Sequence, residues 1–320
     1  MHVPAEVSRM QPIHWFPGHM AKAKRQIQEA LALVDVVTEL VDARLPQASA
    51  NPMLRQIAGQ KPRAVVMTRI DLADPLQTRR WEWFLQRQGA KVVGVDARSG
   101  EGVRALFAVW EEAVAEKRAR ERQRGLRPRP VRTMVVGIPN VGKSSLINRL
   151  AGRAATKTGD LPGVTKAAQW IRLGHVELLD TPGVLWPKLD DEHTAYKLAV
   201  SGAIKSEVLD IPSVCAYFLL FAARHYPQLL QARYGLTELP QGTWTDAQTA
   251  WEMVEPVLQE IARRRGMLRQ GGVPDAERAS ELVLREVQTG RIGRMTFEWA
   301  PQERLDEAAR KDEPGTEDEG

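Results

Sequence analysis

Residues 135–150 read VVGIPNVGKSSLINRL: a short apolar run, a glycine-rich turn and the beginning of an apolar helix pattern. Gly137, Gly142, Lys143 and Ser144 satisfy the pattern G-x-x-x-x-G-K-[ST], in the order strand, loop and helix that this motif requires. The glycines allow successive backbone N–H groups to curl around a phosphate, and the helix N-terminus adds partial positive charge. The stretch therefore predicts a loop that binds a nucleoside phosphate.

The residue types in this loop suggest individual roles. We expect Lys143 to reach the β- and γ-phosphates and to act as a catalytic group, and the Ser144 hydroxyl to hold Mg²⁺. The residues of the loop that we expect to contact the nucleotide are Pro139, Asn140, Val141, Gly142, Lys143, Ser144 and Ser145.

A second phosphate-sensing element begins 37 residues after Lys143, where the mostly apolar residues 176–179 (VELL) lead into Asp180-Thr181-Pro182-Gly183. A D-x-x-G by itself is more often a plain turn. At the end of a strand its carboxylate can reach the Mg²⁺ shell, and its glycine N–H the γ-phosphate. Thr165, in the preceding turn-rich segment TGDLPGVTK, would complete the Mg²⁺ ligands if it is not simply a solvated loop threonine.

The loops that would read the base come earlier in the chain. Strand-like residues 63–67 end in Thr68-Arg69-Ile70-Asp71, and residues 91–95 end in Asp96-Ala97-Arg98. A carboxylate at Asp71 accepts hydrogen bonds from guanine N1–H and N2–H₂, which adenine does not offer, and the Ala97 N–H suits guanine O6. The order of the loops indicates a circularly permuted domain. The base-site candidates are Thr68, Arg69, Asp71, Asp96, Ala97 and Arg98.

This order of motifs resembles the circularly permuted ribosome-biogenesis GTPases of the YlqF type, also called ribosome biogenesis GTPase A. The family pattern N-K-x-D stands here as Thr68-Arg69-Ile70-Asp71, and threonine lacks the asparagine amide, so we predict weaker nucleotide affinity with GTP still preferred over ATP. The stretches that carry the resemblance are HWFPGHMAKA from His14, VDARLPQASANP from Val41, GIPNVGKSSLINRL from Gly137, PGVTK from Pro162 and LLDTPGVLWP from Leu178.

Alternating strand and helix patterns predict an α/β fold with a mostly parallel sheet, covered by helices on both faces. Residues 1–188 are expected to form the permuted P-loop GTPase domain, 189–300 a small, basic, all-α domain, and 301–320 an acidic disordered tail. The resemblance implies a GTPase that acts late in assembly of the large ribosomal subunit. It would bind the rRNA of that subunit and be released on hydrolysis, and ribosomal particles would stimulate its turnover.

Two further site residues are suggested by resemblance. Val184 follows the D-x-x-G, and its apolar side chain cannot orient the attacking water, a task that the family assigns to a histidine at the position of His19. Asn140 resembles the asparagine of GTPases that hold K⁺ beside the phosphates. Its alternative role is that of a loop asparagine in a tight turn.

Charge is distributed unevenly along the 320 residues, whose formal net charge is +5. Residues 117–132 carry eight basic side chains and one acidic one, which suits an RNA backbone but also a solvated helix end and linker. The arginines that make the C-terminal part basic are Arg263, Arg264, Arg265, Arg269, Arg285, Arg291 and Arg294.

Composition favours a cytoplasmic monomer without a membrane segment. The single cysteine, Cys215, lies in an apolar stretch and is predicted to be a core residue. Two rival functions remain open. One is a nucleotide-gated RNA-binding or RNA-chaperone module whose hydrolysis is incidental. The other is a P-loop small-molecule kinase, which Asp71 and the pairing of Asp180 with Thr165 disfavour.

Overall fold

A six-stranded sheet forms the centre of the nucleotide-binding part. The computed structural model of the protein describes residue 25 and residues 27–152, 169–180, 191–204 and 210–301. The strand order is β3-β2-β1-β4-β6-β5, and every neighbouring pair is parallel except β5 with β6, which confirms the predicted mostly parallel sheet. The strands are β1 Val36–Asp42, β2 Arg63–Thr68, β3 Lys91–Val95, β4 Val131–Gly137, β5 Gln169–Leu173 and β6 Val176–Asp180.

The central strand β1 is buried along its whole length, including its polar side chains. The Thr38 hydroxyl accepts from Trp110 Nε1 at 2.8 Å and shares a hydrogen bond of 2.7 Å with the Thr133 hydroxyl. The Glu39 carboxylate accepts from Arg63 Nη2 at 2.7 Å. Because each of these buried polar groups has a partner, the valine-rich strand tolerates them within the core.

The chain changes direction across the sheet between β1 and β4. Strands β1 to β3 extend to one side and β4 to β6 to the other, while β1 and β4 pair in parallel, with Leu40 opposite Gly137. In open α/β sheets, ligands bind outside the carboxyl ends of the strands at such a switch point. The topology therefore places the loops after β1 and β4 where this rule expects a ligand to bind.

Helices cover both faces of the sheet, because alternate side chains of each strand point to opposite sides. On β2, Val66 packs in the same cluster as Leu106 and Trp110, while Val65 packs in another cluster with Trp81. Residues 27–33 are helical, and the helices that follow them in this part are α1 Pro52–Ala58, α2 Pro75–Arg87, α3 Val103–Gln123 and α4 Lys143–Leu150.

The C-terminal part is helical, as predicted. Four of its helices begin at an aspartate whose carboxylate accepts from backbone N–H groups of the first turn, and the predicted N-cap Asp275 accepts from Arg278 N at 3.1 Å. The helix α7 was not predicted. It begins at Pro227, directly after α6. The helices of this part are α5 Glu192–Ser201, α6 Ile211–His225, α7 Pro227–Tyr234, α8 Ala247–Arg264 and α9 Ala276–Gln288.

Cys215 lies on α6 with no exposed surface, which confirms its prediction as a core residue. The α6 helix packs against both α8 and α9, so the cysteine occupies the middle of the helical part. Within the described ranges, no helix combines the length and apolar character needed to cross a membrane.

Candidate nucleotide-binding site

The glycine-rich loop connects β4 to the helix α4, as the sequence predicts. Gly142 has a φ of 100° and Asn140 a φ of 57°, both in the left-handed region that a side chain normally disfavours. A Cβ at Gly137 would lie 2.8 Å from Val141 Cγ1, so only glycine allows the loop to fold back over the end of the strand. These conformations curl the backbone in the way that phosphate binding requires.

Lys143 and Asp180 meet at the base of this loop. Strands β4 and β6 pair in parallel, with Val135 opposite Asp180, and the Lys143 Nζ donates to Asp180 Oδ1 at 2.6 Å. Both residues are buried. Ser144 is exposed at the start of α4. One carboxylate and one hydroxyl fit Mg²⁺, which usually keeps several waters and phosphate oxygens in its octahedral shell.

The predicted base-reading loops follow β2 and β3, on the same edge of the sheet as the phosphate loop. Asp96 is buried, and its two carboxylate oxygens accept from Arg98 N at 2.8 Å and Ser99 N at 3.0 Å. These bonds fix the turn that contains Ala97. The α4 residue Arg149 donates to Ser99 O at 2.5 Å, which ties this turn to the phosphate-loop helix.

Asp71 and Asp96 influence each other's charge. Burial and then the negative charge of Asp96 raise the pKa of the Asp71 carboxyl above its ordinary value. For Asp96, burial acts in the same direction, but hydrogen bonds from Ser99 and Arg98 outweigh it and lower the pKa. Asp96 is therefore the structural carboxylate of the two, because its oxygens already accept bonds within the turn, whereas donors on a ligand would lower the raised pKa of Asp71.

Thr68 connects the base-reading loop to the phosphate loop. Its Oγ1 lies 2.6 Å from Val141 O and 3.1 Å from Val41 O. A hydroxyl has one hydrogen to donate, and the shorter distance assigns it mainly to Val141. The threonine lacks the two-sided amide of asparagine but still supplies a direct bond to the phosphate loop.

Arg69, which was predicted only as a nucleotide-binding residue, also bonds to two other segments of the chain. Its φ is 58°, and its guanidinium donates to Asn140 O at 2.6 Å and to Ser201 O at 3.3 Å. Burial lowers the pKa of Arg69, against the opposing attraction of Asp42. Arg69 therefore joins the phosphate loop to the C-terminal end of α5.

Asp42 and Arg44 both belong to the segment VDARLPQASANP, and neither was predicted to have a role in the site. Arg44 donates to Asp42 Oδ1 through Nε at 3.0 Å, to Oδ2 through Nη2 at 2.7 Å, and to Ser201 O at 2.9 Å. Burial acts to raise the pKa of Asp42, yet the Arg44 and Arg69 charges hold it below its ordinary value. The signal available in the sequence for this cluster was an aspartate, Asp42, at the end of a strand at the switch point.

Three predicted site residues, His19, Thr165 and Gly183, lie outside the described residues. The other site residues lie at the ends of β2 and β6, in the loops after β2, β3 and β4, or in the first turn of α4, all at the carboxyl ends of parallel strands. The described structure thus brings the predicted base-reading and phosphate-reading loops to one edge of the sheet.

Fold and site define a circularly permuted P-loop GTPase. The family described as "50S ribosome-binding GTPase" matches residues 132–220. The chain is 49% identical over 288 residues to Ribosome biogenesis GTPase A of Priestia megaterium, covering 89% of this chain and 96% of that protein. The chain belongs to the ribosome biogenesis GTPase A family.

More distant relatives agree with this assignment. Mitochondrial ribosome-associated GTPase 1 of Bos taurus is 32% identical, over 87% of this chain and 86% of that protein. The structure of GNP-bound YlqF from T. maritima matches with a TM-score of 0.58 and 29% identity, over 87% of this chain and 98% of that chain. The protein is accordingly a GTPase of ribosome biogenesis that binds GTP and GDP, in a family that generally uses Mg²⁺.

Proposed function

We propose that the protein acts in late assembly of the large ribosomal subunit, where its GTP-bound form binds rRNA and hydrolysis releases it. The observation that carries this proposal is the match to the 50S ribosome-binding family, together with its relatives in ribosome biogenesis. Exposed arginines on the helical part support an RNA contact, because phosphate binding releases counterions. The proposed place of action is the cytoplasm, and the proposed form is a monomer.

Phosphate release tests this proposal. GTP and ATP are each supplied in KCl buffer, with and without purified large ribosomal subunits. We expect slow turnover of GTP that rises at least about tenfold with subunits, whereas ATP stays inert. Equal rates with and without subunits would instead support an RNA-binding module whose hydrolysis is incidental, and equal use of ATP would contradict the proposed guanine site.

Within the site, we propose that Lys143 binds the β- and γ-phosphates and that Gly183 contacts the γ-phosphate. Ser144, Thr165 and Asp180 would contribute to the Mg²⁺ shell. Asp71 and Ala97 would read the guanine base, a role that their position after β2 and β3 supports. In this assignment the backbone of residues 139–145 surrounds the phosphates.

We propose that His19 orients the attacking water, since Val184 follows the D-x-x-G and has no polar side-chain atom. In the His19→Ala variant, subunit-stimulated hydrolysis should fall by about 100-fold while GDP affinity stays unchanged. Measuring both quantities separates catalysis from binding. Normal stimulated turnover in this variant would eliminate the assignment.

We also propose that Asn140 holds K⁺ beside the phosphates. The left-handed backbone at Asn140 and its exposed side chain support this, and its Nδ2 donates to Gly202 O at 3.3 Å. Replacing K⁺ by Na⁺ should lower hydrolysis, and Asn140→Ala should remove the difference between the two ions. Equal rates of the unaltered protein in both salts would refute this role.

The domain arrangement is proposed as residues 1–188 for the GTPase domain, 189–300 for a helical rRNA-binding domain and 301–320 for an acidic disordered tail. Hydrogen bonds from Arg44 and Arg69 to Ser201 O support a direct mechanical link between the first two. Such a link would allow the bound nucleotide to bias how the helical domain meets its partner. Amide exchange across this junction should therefore differ between GDP and a GTP analogue, and identical exchange would count against the coupling.

A further inference from the structure

The chain returns to the nucleotide-binding part after its last helix. Residues 294–298, which we call the C-terminal strap, follow α9 and lie along the base-reading loop that connects β2 to α2. Met295 and Thr296 are 1% and 0% exposed, so the strap is packed into the molecule rather than resting on its surface.

The strap bonds to the backbone on both sides of Asp71. Arg294 donates through Nη2 to Ile70 O at 2.7 Å and through Nε to Ala73 O at 2.8 Å. The next strap residue, Met295, donates its N–H to Leu72 O at 3.0 Å. Three carbonyls of a short loop are thus held by two consecutive strap residues.

The strap is itself fixed to the nucleotide-binding part. Phe297 N donates to Arg44 O at 2.7 Å, and the Glu298 carboxylate accepts from Gln47 N at 2.7 Å. Trp81 Nε1 donates to Glu298 O at 2.9 Å. Because these contacts lie on other elements than the base-reading loop, the strap can act as a rigid support for that loop.

We propose that the C-terminal strap positions the base-reading loop and that Arg294 is a positioning residue for guanine recognition. The inference rests on the proposed role of Asp71. A carboxylate that accepts two hydrogen bonds from one base edge must be held in a narrow range of orientations, and a loop gains that precision from the residues that support it. Loss of the Arg294 bonds should therefore weaken guanine binding and its selectivity without removing Asp71.

The test uses the full chain with Arg294→Met, which keeps an unbranched apolar side chain but removes both donors. Affinity and dissociation rate are measured for fluorescent GDP, IDP and ADP. We expect GDP affinity to fall about tenfold through faster dissociation, with ADP affinity unchanged. The preference for GDP over IDP should fall as well, because inosine lacks the amino group that Asp71 would accept from.

Two further variants make the result specific. Arg294→Lys keeps one cationic donor and should restore part of the GDP preference. Arg79→Met removes an exposed arginine from α2, the helix that follows the loop, and should leave all three affinities unchanged. If the Arg294 variants and the unaltered protein have equal thermal unfolding midpoints, a general loss of folding cannot explain a change in affinity.

The Asp71→Asn variant separates failure of this inference from failure of the proposed guanine site. If Asp71→Asn abolishes the GDP preference while Arg294→Met leaves it intact, the strap has no positioning role. Equal weakening of GDP and ADP by Arg294→Met would also overturn the inference, since it indicates a general structural effect. If Asp71→Asn leaves the preference for GDP over ADP unchanged, Asp71 does not read guanine. The inference about Arg294 is then wrong as well, because it rests on that role.

Discussion

The Thr68 hydroxyl connects the strand β2, which precedes the predicted base-reading loop, with the glycine-rich loop after β4. Its 2.6 Å bond to Val141 O spans 73 positions in the chain. The loss of the asparagine amide predicts weaker nucleotide binding, but the retained bond should limit that loss. A single hydroxyl thus maintains the spacing between two parts of one site.

Thr68→Val removes this hydroxyl at nearly constant volume. We expect GDP binding to weaken about tenfold, because the Val141 carbonyl loses its donor and the phosphate loop becomes less restrained. Isothermal titration calorimetry measures the effect. Thr289→Val makes the same chemical change on the exposed end of α9 and should leave GDP affinity intact. An unaltered affinity in Thr68→Val would show that the bond does not support the site.

If Asp71 reads the guanine base as proposed, guanine binding should depend on pH. Burial and the charge of Asp96 raise the pKa of its carboxyl in the free protein, whereas guanine donors would stabilise the carboxylate. Affinity should therefore be complete above the raised pKa and fall by up to about tenfold per pH unit below it. The ratio of GDP to ADP affinity, followed as the pH is lowered from 7.5 until the Asp71 carboxyl is protonated, measures this while cancelling phosphate protonation. Asp71→Asn should flatten the ratio, and a flat ratio in the unaltered protein would disprove the effect.

At the scale of elements, Asp35 anchors the basic linker between α3 and β4. It is 6% exposed, and it accepts from Arg129 Nη2 at 2.6 Å, Lys117 Nζ at 2.5 Å and Arg132 N at 3.0 Å. Part of the basic stretch is therefore neutralised by a buried carboxylate and is not free for RNA. The linker joins the two halves of the permuted sheet, so this anchor sets where β4 enters it.

Asp35→Asn should lower the free energy of unfolding at pH 7 by about 2 kcal/mol, less than for a fully buried pair because the Arg129 and Lys117 side chains can be hydrated. Burial acts to raise the pKa of Asp35, but hydrogen bonds from Arg129 and Lys117 hold it well below its ordinary value. A lowered pKa contributes stability that is present above the unfolded pKa of about 3.9 and lost as the pH falls below it. The difference between variant and unaltered protein should therefore shrink below about pH 4.

Urea unfolding at pH 7 and pH 3.5 checks this expectation. Glu116→Gln, which changes a 93% exposed carboxylate next to Lys117 on α3, should alter stability by less than about 0.5 kcal/mol. A difference for Asp35→Asn that stayed constant across this pH range would contradict the assigned cause.

At the scale of the whole molecule, the helical part and the nucleotide-binding part share one hydrophobic cluster. That cluster includes Leu40 and Trp110 from the first part and Tyr196, Cys215 and Phe218 from the second. Polar contacts at Ser201 O and along the C-terminal strap cross the same boundary. The two parts should therefore unfold cooperatively, and nucleotide binding to one should protect the other.

Cys215 reports on this cooperativity, because it is the single cysteine of the chain and is fully buried. Burial raises the pKa of its thiol, which keeps it unreactive in the folded state. GDP at 100 times its Kd should slow labelling by a thiol reagent about 100-fold if only the globally unfolded chain reacts. ADP at the same concentration should leave the rate unchanged. If GDP does not change the labelling rate of Cys215, the helical part opens independently of the nucleotide-binding part.

Much of the secondary structure and of the phosphate loop is predictable from local sequence patterns. Alternating strands and helices, the glycine-rich loop and the N-cap at Asp275 depend on neighbouring residues, and the structure bears them out. The α7 helix, the Asp42–Arg44 cluster and the C-terminal strap were not predicted. Residues 294–298 (RMTFE) alternate polar and apolar side chains, a pattern typical of an extended segment, but that pattern does not reveal which loop the segment contacts.

The order of the motifs along the chain was enough to establish a permuted nucleotide-binding fold, since backbone conformation and hydrophobic period are properties of short stretches. The contacts that hold the base-reading loop in place are visible only in the tertiary structure. Arg294 and Ile70 are 224 positions apart, and their bond exists only because the helical part returns the chain to the sheet edge. Such contacts depend on the packing of intervening elements, which no local pattern encodes.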